Sequence, residues 1–87
     1  MQYLILCKSL TNAQRGALLL ERRGLSASVV KAPQNLRGNG CGYALSLYRN
    51  PEEAAALLKS NQLLTGKIYR RAEDGRYLEV EEHDLSR

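Results

Sequence analysis

The residues best suited to chemistry lie in Arg37-Gly38-Asn39-Gly40-Cys41-Gly42. A single cysteine stands between two glycines, just ahead of the apolar run Tyr43-Ala44-Leu45. Glycine carries no side chain, so another molecule can approach the backbone closely there. A thiolate is the nucleophilic form of cysteine, and an ordinary thiol with a pKa of about 8.5 is only about 3% ionised at pH 7. A helix N-terminus contributes roughly 0.3–1 kcal/mol toward an anion, which is less than one pKa unit. Arg37 and the backbone N–H groups of Gly40 and Gly42 could add to that if the loop turns them toward the sulfur. The chain's one histidine, His83, lies far off in the C-terminal tail, so a Cys-His hydrolase is not indicated. A group-carrying thiol needs only exposure and modest activation, which this loop suits better. The competing reading is that Cys41 packs the fold, as most lone cysteines do.

The second cysteine, Cys7, ends the apolar run Tyr3-Leu4-Ile5-Leu6-Cys7. Its plain reading is structural, and its sharper one is a resolving thiol for Cys41. Cys7, Cys41 and His83 are too few and too dispersed for a structural zinc site, and two thiols make no disulfide framework. No metal and no cofactor is expected. Gly38, Gly40 and Gly42 could form a nest of N–H groups for an anion. Their spacing matches neither a P-loop nor a dinucleotide fingerprint, and the loop leads into a strand.

The chain has 87 residues, a net charge of +4 and 44% hydrophobic residues, which suits one small globular domain over residues 1–80. The charged tail 81–87 reads as frayed. No apolar run approaches the ~20 residues of a membrane span. The start of the chain reads as a strand and not as a signal peptide, so a cytoplasmic location is expected. Phe and Trp are absent and five Tyr are scattered. The glycine-aromatic motif of an RNA-binding strand platform is missing, which argues against nucleic acid as the partner. Arg70, Arg71 and Arg76 form a basic group across a hairpin and read as a solvated face, with a contact to an acidic protein or weak RNA binding through the sheet as the minority reading.

The elements that position the loop follow from local signals. Tyr3 to Cys7 is a central strand. Ser9-Leu10-Thr11-Asn12 supplies caps for a helix from about Asn12 to Arg23, closed by Gly24. Leu25 to Val30 alternates as a second strand and Pro33 stops it. Gln34 to Gly42 is a loop, and Tyr43 to Tyr48 is a third strand with Tyr43, Leu45 and Leu47 on one face. Asn50-Pro51-Glu52-Glu53 starts a second helix with Asn50 as its cap. Gly66 to Arg71 is a fourth strand, and Asp74-Gly75 turns the chain into a fifth at Arg76 to Val80.

The order β-α-β-β-α-β with an added hairpin strand predicts an α+β, ferredoxin-like (split β-α-β) sandwich with two helices on one face of an antiparallel sheet. In that arrangement the first and third strands are central neighbours. Cys7, the Cys41 loop and the start of the first helix then share one end of the sheet.

The chain resembles the selenium/sulfur carrier-like family of small bacterial proteins. The resemblance is carried by Ala13 and Leu20 of the first helix, Gly24-Leu25, Pro33, Leu36 and Cys41-Gly42-Tyr43-Ala44-Leu45, and runs from about Tyr3 to Tyr69. It implies a single-domain cytoplasmic protein in which Cys41 carries sulfur or selenium as a persulfide-type group. Arg37, Asn39, Gly40 and Gly42 would then surround the carried atom, and donor and acceptor proteins would be the partners. Two positions depart from the family pattern. Ala17 stands where an acidic residue is expected, and Gly38-Asn39-Gly40 replaces small hydroxyl residues before the cysteine. The alternative function is a non-catalytic module that binds a small ligand or a protein, with a structural Cys41. A homodimer through the hairpin would fit either reading.

Overall fold

The computed structural model describes residues 2–37, 42–63 and 65–80. The chain folds as an α+β protein around an open antiparallel five-stranded sheet. Its strands are β1 (Tyr3–Cys7), β2 (Ser28–Lys31), β3 (Tyr43–Leu47), β4 (Thr65–Arg71) and β5 (Tyr77–Val80). Helix α1 (Leu10–Arg22) follows β1, the short α2 (Gln34–Arg37) follows β2, and α3 (Pro51–Ser60) follows β3. The strand order is β2-β3-β1-β4-β5, so β1 and β3 are central neighbours, as the split arrangement requires.

Apolar side chains alternate along β1 and β3 and divide between the two faces of the sheet. Ile5, Cys7, Leu45 and Leu47 pack with Ala13 and Leu20 of α1 and with Ala54 and Leu58 of α3. Leu4 and Ala44 point the other way and bury against Ala32, flanked by Leu6, Val30, Leu36, Tyr69 and Tyr77. Fully burying one leucine of this kind stabilises the fold by roughly 1.5–3 kcal/mol.

Helix α1 begins two residues earlier than its sequence suggests, because Ser9 is the cap. Ser9 is extended and its Oγ accepts from the Asn12 N–H at 3.1 Å. The far end closes in a Schellman turn: the Leu25 N–H donates to Leu20 O at 2.8 Å and the Gly24 N–H to Glu21 O at 3.0 Å, with Gly24 at φ +81°. That turn draws Leu25 under the helix end. For this reason β2 starts at Ser28 instead of Leu25.

Four further expectations are corrected. The segment from Gln34 is not all loop, since α2 forms one turn, with the Leu36 N–H donating to Pro33 O at 2.9 Å. Pro33 not only ends the strand; its fixed φ also starts this turn, and Leu36 then caps the second apolar cluster. Asn50 precedes α3 in the left-handed region (φ 51°, ψ 49°) and makes no side-chain capping bond. β3 ends at Leu47, leaving Tyr48 outside the strand, and β5 starts at Tyr77, one residue later than expected. The C-terminal tail 81–87 lies outside the described residues.

Candidate functional site

β1 and β3 run antiparallel with Leu6 opposite Ala44. The C-terminal end of β1 and the N-terminal end of β3 therefore lie at one end of the sheet. β4 starts there too, with Thr65 opposite Cys7. Between Ile5 and Cys7 the β1–β4 register shifts by one residue, since Ile5 faces Ile68 while Cys7 faces Thr65. Such irregularities re-aim the side chains beside them. Helix α1 rises from the same end three residues after Cys7.

Cys7 is buried at 5% exposure among the helix-side core residues. Its Sγ lies 3.5 Å from the Ile5 carbonyl oxygen, a weak S–H donation along the strand. Gly42 is half-buried, and its carbonyl accepts from the Ala32 N–H at 2.8 Å. That bond extends the β2–β3 ladder by one step and ties down the residue after Cys41. Arg37 is the last residue of α2. Cys41, Asn39 and Gly40, three of the residues singled out by the sequence, lie outside the described residues, as does His83.

Two described features of this end suit an anion. The first turn of α1 carries no acidic residue to offset the positive end of the helix dipole. Lys8, exposed, stands between β1 and α1. Among the described residues no three of His, Cys, Asp and Glu come together as a metal site would require. No helix among them is long and apolar enough to cross a membrane.

The three arginines of the hairpin do not share one face, although Arg70 and Arg71 both border a cleft beside Tyr48. Arg70 lies opposite Leu78 and Arg71 opposite Tyr77, and successive strand residues point to opposite faces. Arg76 is engaged locally, its Nε 2.7 Å from Asp74 Oδ2. Sequence reasoning also missed Tyr48. The apolar run places it in β3, yet it is 66% exposed beyond the strand's end. Five scattered tyrosines show no period that would single it out.

The family model described as “Putative Se/S carrier protein-like” matches residues 2–70. That span takes in β1 through most of β4 and leaves out the Asp74-Gly75 turn and β5. No curated protein and no solved structure matches the chain.

Proposed function

The chain belongs to the Se/S carrier protein-like family, and on that premise we propose that it carries a sulfur or selenium atom on Cys41 and hands it between partner proteins. The observation that carries this reading is the family match itself, which spans Cys41 and Gly42. The geometry at the sheet end supports it. The strand that follows Cys41 in the chain starts at the end of the sheet where β1 ends and α1 begins, and a helix N-terminus is a place where a thiolate is favoured over a thiol.

The chemistry is a redox-neutral exchange. The Cys41 thiolate attacks the outer sulfur of a donor's persulfide. The donor's S–S bond breaks, its inner sulfur leaves as a thiolate, and Cys41 becomes the persulfide. An acceptor nucleophile then attacks the outer sulfur and Cys41 leaves as the thiolate. Selenium follows the same path as the outer atom. Arg37, Asn39, Gly40 and Gly42 are the residues proposed to surround the carried atom, the glycines giving partners access. In this scheme the protein is a substrate of other enzymes more than an enzyme itself. A reducing cytoplasm would keep its thiols available.

Cys7 is proposed as the resolving thiol. Its attack on the inner sulfur of a Cys41 persulfide would release hydrosulfide and leave a Cys7–Cys41 disulfide. The burial of Cys7 makes this step slow, which protects the carried atom.

The test is persulfide loading of the full-length chain by inorganic polysulfide, followed by intact mass. The expected result is a gain of one sulfur atom that is lost in Cys41→Ser and kept in Cys7→Ser. Loading that persists in Cys41→Ser sinks the carrier role. Failure to recover a Cys7–Cys41 disulfide after loading removes the resolving role alone.

A further inference from the structure

The end of the sheet away from Cys7 and Gly42 has a character of its own. Tyr48 stands there just past Leu47, which lies opposite Tyr3 at the start of β1. Two clefts open beside it, and Tyr48 lines both. One, of about 420 Å³, includes Ser26 and Arg49. The other, of about 520 Å³, includes Gln2, Arg70, Arg71, Ala72 and Glu73. Both volumes fall in the ~300–1,000 Å³ range of small-ligand sites. Neither Arg49 nor Arg71 takes part in an ion pair among the described residues. Both side chains belong to exposed residues, and the chain carries a net charge of +4.

We infer that Tyr48 and the clefts beside it form a nucleotide-binding site, in which the base stacks on the Tyr48 ring and the phosphate is held by Arg49. An exposed aromatic ring next to unpaired guanidinium groups matches both halves of such a ligand. Bases stack on tyrosine whatever their identity, and the planar guanidinium fork fits a phosphate. The Arg49 cleft has the Ser26 hydroxyl and no carboxylate among its lining residues, which assigns it the phosphate. The other cleft has a carboxylate at Glu73 and an amide at Gln2, groups that can hydrogen-bond a base edge. Gln2 Nε2 donates to Ser46 Oγ at 3.0 Å, which fixes that amide and leaves its carbonyl oxygen to accept. An acidic peptide would satisfy the arginines but would make no use of the ring between two concave clefts. The site differs from an RNA-binding strand platform, because a single ring at the strand's end does the stacking. It is independent of Cys41 and of the carrier reading.

The test is a low-salt titration of the full-length chain with AMP and with a short single-stranded oligoribonucleotide, followed through backbone amide NMR shifts. Shifts are expected at Ser26, Tyr48, Arg49 and Ala72. Tyr48→Ala should weaken binding about tenfold, equivalent to ~1.4 kcal/mol, while Tyr48→Phe keeps the affinity. Arg49→Ala should weaken it and flatten its salt dependence. AMP binding as tightly as the oligonucleotide marks a free nucleotide as the ligand, and a gain with chain length marks RNA; each supports the site. Three results would overturn it: no shifts at these residues with either ligand, inorganic phosphate binding as tightly as AMP, or an oligoglutamate peptide producing the same shifts with the same response to Tyr48→Ala.

Discussion

Gly16 of α1 sits so close to Leu45 of β3 that a Cβ built on the glycine would lie 2.9 Å from Leu45 Cδ1, with Leu58 Cδ2 of α3 at 3.0 Å. The absent side chain is what lets α1 settle on the sheet. A helix-interior glycine costs about 1 kcal/mol relative to alanine, so Gly16→Ala gains helix propensity. It must also displace two side-chain ends that are fully buried, and overpacking of a core costs ~1–3 kcal/mol. We expect Gly16→Ala to be destabilising by about 0–2 kcal/mol, the difference between those two effects, and Gly16→Val to be worse than Gly16→Ala. Urea denaturation measures both. A more stable Gly16→Val would show that the helix does not pack this closely.

The two left-handed residues flanking α3 make opposite demands on substitution from those of ordinary caps. Asn50 (φ 51°) and Gln62 (φ 62°) both lie where a Cβ is strained. Gln62 closes a Schellman turn, its N–H donating to Lys59 O at 3.1 Å while the Leu63 N–H donates to Leu58 O at 2.9 Å. Gln62→Gly should stabilise the protein by about 1 kcal/mol. Asn50→Ser should destabilise by about 1 kcal/mol and Asn50→Gly should not. If Asn50 acted as a side-chain cap, serine would replace it and glycine would be no better. The thermal midpoints of the three variants decide between the two accounts.

Asn50 also shows where a sequence stops being legible. Asn-Pro-Glu-Glu announces a helix start correctly, and α3 begins at Pro51. The same letters cannot say whether asparagine serves through its side chain or through its tolerance of positive φ. Strong local chemistry was readable: the apolar run of β1, Gly24 closing α1, and Asp74-Gly75 turning β4 into β5, with Gly75 at φ +88°. Elements set by tertiary packing were less so. Leu25 alternates with its neighbours like a strand residue, but the closing turn of α1 takes it. Pro33 ends β2 and also starts α2, and only the apolar cluster beneath Leu36 decides the second role. At the candidate site, the meeting of the β1 and β3 ends was readable from topology. The shift in register beside Cys7 was not, because it depends on how β4 pairs.

Among the described residues, a carboxyl with a clearly shifted pKa stands in the β4–β5 turn. Asp74 Oδ1 accepts from the Arg76 N–H at 3.1 Å and Oδ2 from Arg76 Nε at 2.7 Å. The backbone bond first, and the guanidinium bond second, hold its carboxyl below the ordinary aspartate value. A carboxyl whose folded pKa is depressed stabilises the fold above its unfolded pKa. That contribution is lost as pH falls through the folded pKa. Both side chains of the pair are solvent-exposed, so the effect on global stability is small. NMR titration should show Asp74 as one of the last carboxylates to protonate, and Arg76→Ala should move it back toward the ordinary value. No movement in Arg76→Ala would mean that the guanidinium has no part in the shift.

The two cysteines should differ sharply in reactivity. Cys7 is 5% exposed and packs with Ile5, Ala13 and Leu45 in the helix-side core. Its alkylation requires an opening of the β1 end, so its rate in the native chain should be low and should rise with denaturant as that opening becomes populated. If Cys41 is the carrier, its rate at neutral pH should exceed that of Cys7, and its pH dependence should place its pKa below the ~8.5 of an ordinary thiol. Mass spectrometry of iodoacetamide-treated native protein, resolved by peptide, separates the two. Rapid labelling of Cys7 would contradict its burial. Slow labelling of both would leave Cys41 as a packing residue and would remove the chemical step on which a carrier depends, since a thiol that iodoacetamide cannot reach cannot meet a larger donor protein.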